Sequence, residues 1–183
     1  MSPFRLAIFV MILMTAPAFA MPLHDAVLAK DSQSALRILA EGADVNQRDG
    51  LGRTPLLLAV EKGDVNMALA LLQAGADINA QAANKDTPWL LAGASGRTEI
   101  LMLMIPKNPD FSIRNRYGGN ALIPACERGH VETVRLLLTT EIDVDHVNNL
   151  GWTCLLEAVI LGDGGKAHQD IVKMLLDKGA DPN

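Results

Sequence analysis

Four histidines, two cysteines and one Gly-Gly-Lys run are the groups in this sequence with obvious chemistry to offer. Histidine could ligate a metal or carry a proton. However, no pair among His24, His130, His146 and His168 has the i, i+4 spacing that sets two ligands on one helix face. Gly164-Gly165-Lys166 suggests a phosphate loop, but Ile160 stands where the first glycine is required and Ala167 replaces the Ser or Thr. No strand is expected before it either. Ala94-Ser95-Gly96 places a serine in a turn without the glycine spacing of a nucleophile elbow. No catalytic, metal or cofactor site is therefore expected. The glycine-rich stretch reads as a longer surface turn, with contact to a partner as its alternative role.

The N-terminus decides the compartment in which these residues would operate. Residues 1–20 carry one charge, Arg5, then the apolar stretch Ala7–Met14, and close on Ala18-Phe19-Ala20. An apolar run this short does not span a bilayer, and the small residues suit a signal-peptidase site. A cleaved leader is expected, with the mature chain starting near Met21, exported across the inner membrane and periplasmic in a Gram-negative source. An uncleaved anchor is the alternative. The remaining 163 residues suit one domain; 15 basic residues stand against 21 acidic ones, a formal charge of −6 that argues against nucleic-acid binding.

What positions these residues is a repeat. Met21-Pro22-Leu23-His24, Thr54-Pro55-Leu56-Leu57, Thr87-Pro88-Trp89-Leu90, Asn120-Ala121-Leu122-Ile123 and Thr153-Cys154-Leu155-Leu156 begin 33 residues apart, and Ala26, Ala59, Ala92, Ala125 and Ala158 follow at one offset. Each unit predicts two helices. Threonine caps the first and proline suits its first turn. Gly63, Gly96 and Gly129 break the chain, and an apolar run such as Val131–Leu138 supplies the second helix. Gly42, Gly75 and Gly179 fall at left-handed C-caps; Asn108 can adopt that conformation, Glu141 less easily.

Asp49-x-x-Gly52-x-Thr54-Pro55-Leu56, Ala59, Gly63 and Gly75-Ala76-Asp77-Ile78-Asn79 resemble the ankyrin repeat, as does Glu127–Leu138. The resemblance covers essentially the whole mature chain. It implies an all-α solenoid of five stacked helix-turn-helix units with short inter-repeat β-turns. The units run about 21–48, 49–81, 82–114, 115–147 and 148–183. It also implies structural hydrogen-bonding roles for His24 and His130.

Several departures carry expectations. Lys85 replaces a turn glycine, and Pro106 interrupts unit three, whose methionines are expected to fill core gaps. Unit five carries five extra residues between its helices. Cys126 and Cys154 sit at different points along the first helices of neighbouring units, so buried unpaired thiols are expected. A disulfide would need Cα atoms within about 7 Å, and a redox-sensing thiol would need exposure. Unit one, with Ser32, Gln33, Ser34 and Arg37, reads as an N-terminal cap. The last helix, Ile171–Leu176, is built like an internal one, so a missing end cap, a partner or a second copy is expected at that edge.

Ankyrin arrays bind through their turns and the inner face of their first helices. The family's variable surface positions include Glu127, Arg128, Ile160 and Leu161. A contact patch of Leu51, Arg53, Arg116, Tyr117, Leu150 and Trp152 is expected, because tyrosine, tryptophan and arginine dominate binding energy in many interfaces. Trp152 lying flat on its own repeat is the alternative, whereas Trp89 replaces a core leucine. The implied task is protein–protein interaction, as a periplasmic scaffold or protector of a partner enzyme. Association with catalase is an analogy from small exported members of the family. The alternatives are an immunity-type inhibitor of a toxin or lytic enzyme and, from another class, a secreted hydrolase or redox protein.

Overall fold

A computed structural model describes residues 21–182; the expected leader, 1–20, and Asn183 lie outside the described residues. Five helix pairs follow one another: α1 (Pro22–Leu28) and α2 (Ser32–Ala40), α3 (Pro55–Lys62) and α4 (Val65–Gln73), α5 (Pro88–Ala94) and α6 (Thr98–Met104), α7 (Leu122–Glu127) and α8 (Val131–Leu137), α9 (Cys154–Ile160) and α10 (Lys166–Lys178). First helices stack on first helices along the series α1, α3, α5, α7, α9, and each packs on its own second helix. No strand occurs among the described residues. The solenoid expected from the repeat is the fold observed.

The helices start where their caps are. Thr54, Thr87 and Thr153 accept hydrogen bonds from the backbone N–H of Leu57, Leu90 and Leu156. In unit four Asn120 takes over, its Oδ1 accepting from Leu122 and Ile123. Unit four also ends differently. Glu141 does not adopt a left-handed conformation; α8 stops early, and the hydroxyls of Thr139 and Thr140 donate to the Leu136 and Leu137 carbonyls. Asn108 takes the left-handed region that it can adopt, at φ 55°, and Lys85, standing in place of a turn glycine, takes it as well, at φ 65°.

A continuous apolar core runs through the stack, from Leu23 and Val27 to Ile171 and Leu175. Trp89 is core, 2% exposed, with its ring edge-on to Phe111 at 5.8 Å. Met104 is buried as expected for a gap filler, but Met102 points to solvent. Unit one behaves as a cap: α2 fully buries only Ala35. The last unit does not. Positions 27, 60, 93 and 126 are buried, while their successor Val159 is 60% exposed among the described residues, and Leu156 and Leu176 are exposed as well.

The cysteine expectation is overturned. Cys126 and Cys154 form a disulfide, with Cα atoms 5.6 Å apart, and both are fully buried. Their offset along the helices made contact look unfavourable, but the stagger between successive first helices compensates for it. The preceding junction shows the same register: a Cβ on Gly93 would touch Ala121, 28 residues on, as Cys154 is from Cys126. The bond thus occupies a standard contact between neighbouring units and ties α7 to α9.

Candidate protein-binding surface

The turns that enter the units carry most of the expected patch, and each turn is fixed by one side chain at its base. Asn115 Oδ1 accepts from the N–H groups of Tyr117 and Gly119, and Asn148 Oδ1 accepts from those of Leu150 and Trp152. The two tips are then tied together. Asn149 N–H donates to the Tyr117 carbonyl at 2.9 Å, and His146 Nε2 donates to the Gly118 carbonyl at 2.6 Å. Gly118 suits this turn: its φ is 74°, and a side-chain carbon there would lie 2.3 Å from Asn149 Oδ1 and force that side chain aside.

Between these tips and helices α7 and α9 lies a cavity of about 290 Å³. Arg116, Tyr117, Leu150 and Trp152 line it, together with Glu127, Arg128, Glu157 and Leu161. Four of the six patch residues expected from the sequence therefore converge on one cleft. Trp152 is half-buried in its wall, while Tyr117 and Leu150 stand exposed. Leu51 and Arg53 are not among its lining residues. They belong to the turn of unit two, where Arg53 Nε donates to Asp49 at 2.8 Å and Leu51 stands exposed.

Glu157 is the residue that sequence reasoning missed. It sits mid-helix in α9, only 6% exposed, at a position that Leu58, Leu91 and Pro124 occupy in the three preceding units. An acidic residue in that apolar column is the signal that would have found it. Burial, and then the neighbouring Glu127 carboxylate, push its pKa up to about 6, against a hydrogen bond from Asn148 Nδ2 to Oε1 at 2.9 Å. A raised pKa means that the folded state holds this proton more tightly than the unfolded chain does. The carboxylate therefore costs nothing below about 4.5, and its cost grows as pH rises through 6. Glutamine can keep the Asn148 contact without the charge. Glu157→Gln is expected to stabilise the protein by about 1–2 kcal/mol at pH 7.5 and by almost nothing at pH 4.5. Denaturant midpoints of variant and wild type at both pH values check this, since other titrating groups cancel in the difference.

The histidines are structural. His24 Nε2 donates to the Arg53 carbonyl at 3.1 Å, and His130 lies against Gly96 and bonds the Ala94 carbonyl. His168 takes the place of His130 one unit on, displaced by the five-residue insertion. Its Nε2 donates to the Glu127 carbonyl at 3.0 Å and its Nδ1 to Asp163 at 2.9 Å. Two acceptors favour the doubly protonated ring, so its pKa is raised. The inserted loop thereby folds back on α10, with Asp163 also accepting from Gly165 N–H. Among the described residues no three His, Cys, Asp or Glu side chains form a metal-holding group, and no helix is long and apolar enough to cross a membrane.

Stacked helix pairs, paired turn tips and a groove beneath them define a repeat protein built to present a surface. The family model described as ankyrin repeats (3 copies) matches residues 15–82 and 89–183, and the chain belongs to the ankyrin-repeat family. As such it is a protein–protein interaction module. It is similar to the solved ankyrin-repeat protein EF0377, at 47% identity and a TM-score of 0.85, over 87% of this chain and 82% of that one. It is similar also to the ankyrin-repeat domain ABAYE2397 of Acinetobacter baumannii AYE, at 48% identity and a TM-score of 0.85, over 88% and 82% respectively. The putative ankyrin repeat protein YahD of Escherichia coli (strain K12) is 51% identical over 39 residues, 21% of this chain and 19% of that relative's length.

Proposed function

We propose that the chain is an exported binding protein, without a catalytic task, that holds a partner protein in the groove under the turns of units four and five. The observation that carries this reading is the convergence of Arg116, Tyr117, Leu150 and Trp152 on one cleft whose turns are already locked by hydrogen bonds. Preorganised turns lose little entropy on binding. The disulfide supports export, because such bonds persist in oxidising compartments. A periplasmic scaffold or protector of a partner enzyme is the leading role, with catalase as the analogy from similar exported proteins. An immunity-type inhibitor is the alternative. The exposed Leu156, Val159 and Leu176 favour a secondary role for the C-terminal edge in self-association.

The test is capture of partners by the tagged mature chain, starting at Met21, from its own host's exported fraction. Trp152→Ala/Tyr117→Ala is expected to weaken binding of the captured protein at least about tenfold while retaining the helical signal. Equal retention by the variant would discard the groove as the binding face. A scaffold would preserve or raise the captured enzyme's activity, and an inhibitor would silence it. A mature chain whose self-association is unaffected by Val159→Glu would discard the edge contact.

A further inference from the structure

The cleft's chemistry specifies its occupant further. Its lining holds two carboxylates, Glu127 and Glu157, and two guanidinium groups, Arg116 and Arg128. Glu157, 6% exposed as a residue, accepts one hydrogen bond, from Asn148 to Oε1; Oε2 accepts none among the described residues and is not sealed from solvent. Neither arginine forms an ion pair with these carboxylates among the described residues, although Arg128 lies near enough to offset part of the burial cost of Glu157. Arg128 donates to the Ala94 carbonyl, and Arg116 lies over the Tyr117 ring, with Cζ 4.8 Å from the centroid. Around the carboxylates stand Tyr117, Leu150, Trp152 and Leu161.

A buried carboxylate with one donor is a poor structural element. The equivalent positions carry Leu58 and Leu91, which fill the same column without desolvating a charge. An apolar, aromatic sleeve closed by a carboxylate with no ion-pair partner among the described residues complements a long aliphatic stem that ends in a positive charge. Resting on the partner-binding reading above, we propose that this cleft receives a cationic side chain, arginine or lysine, projecting from the partner protein. Its charge meets Glu157 and Glu127, and its stem lies along Trp152 and Tyr117.

The two tryptophans make the test internally controlled, because Trp152 lines the cleft and Trp89 is sealed in the core. The folded mature chain is titrated with acetyl-Gly-Arg-Gly-amide, its lysine counterpart, and the citrulline counterpart, which keeps the shape of arginine without the charge. The indole N–H signals are followed by NMR. Saturable movement of the Trp152 signal alone is expected with the arginine or lysine peptide, at a Kd near the millimolar range and about tenfold weaker with citrulline. Whichever basic peptide binds more tightly identifies the anchor. Glu157→Gln, which keeps the Asn148 contact and is expected to be the more stable protein, should weaken that binding about tenfold. No saturable shift, citrulline binding as well as arginine, or full affinity in Glu157→Gln would each overturn the proposal.

Partner capture separates the two readings. Loss of the partner in Trp152→Ala/Tyr117→Ala but not in Glu127→Gln/Glu157→Gln would leave the groove standing and remove the cationic anchor. Peptide binding in the cleft, with capture indifferent to both pairs, would remove the groove as the site for that partner.

Discussion

Replacing Cys126 and Cys154 together by alanine is expected to destabilise the protein by about 3–4 kcal/mol, because the cross-link closes a loop across a sequence separation of 28 residues. For a chain of this size that corresponds to a fall in Tm on the order of 10 °C. Alanine is the right replacement. Both sulfurs are fully buried, and serine would add the separate cost of a buried hydroxyl. The loss should also be local. In a solenoid each unit is held by its neighbours alone, and this bond ties unit five to unit four. Without the bond, hydrogen exchange should quicken first in α9 and α10, while α3 and α5 stay protected. Coincident melting curves for the variant and the oxidised wild type would show that packing across this junction suffices without the bond.

The same junction shows what the sequence could and could not reveal. Repeat period, caps and turn residues are local, so Thr54, Thr87 and Thr153 announced their helices and Asn108 its backbone conformation. Trp89 was legible as core because its column is leucine elsewhere. Tyr117, Leu150 and Trp152 were legible as surface because the family places those offsets on the turns. What escaped depends on register between units. A contact 28 residues apart is five short of the 33-residue period, so aligning the units one beneath another hides it. Cys126 and Cys154 looked offset for that reason. Glu157 escaped because it is no surface position: it is buried in a column that carries Leu58, Leu91 and Pro124 in the three preceding units and an exposed Asp25 in the first. The cleft itself needs both kinds of information: turns whose residues are legible, and a stagger of helices that is not. Leu51 and Arg53 occupy the same offsets in unit two, exposed and half-buried, outside the cavity between units four and five.

Gly93 makes the point from the packing side, and its substitution should have the second-largest effect. It ends α5 in ordinary helical backbone, so Gly93→Ala would gain about 1 kcal/mol from helix propensity alone. Sterics oppose this. An added Cβ would lie 2.6 Å from the Ala121 carbonyl oxygen and 2.7 Å from the Ala121 Cβ. The carbonyl is backbone and cannot rotate aside, so relief requires α5 and α7 to move apart, and overpacking of this kind costs about 1–3 kcal/mol, occasionally more. With backbone as the obstacle, the cost should lie in the upper part of that range and exceed the propensity gain, and a net loss of about 1–2 kcal/mol is expected from the denaturant midpoint. Adding Ala121→Gly removes the carbon–carbon clash but leaves the oxygen, so it should restore only part of that loss. A stabilised Gly93→Ala would mean that the stack widens there at little cost. In that case the spacing between units three and four would be set by the rest of the core, and glycine at this position would have no packing role.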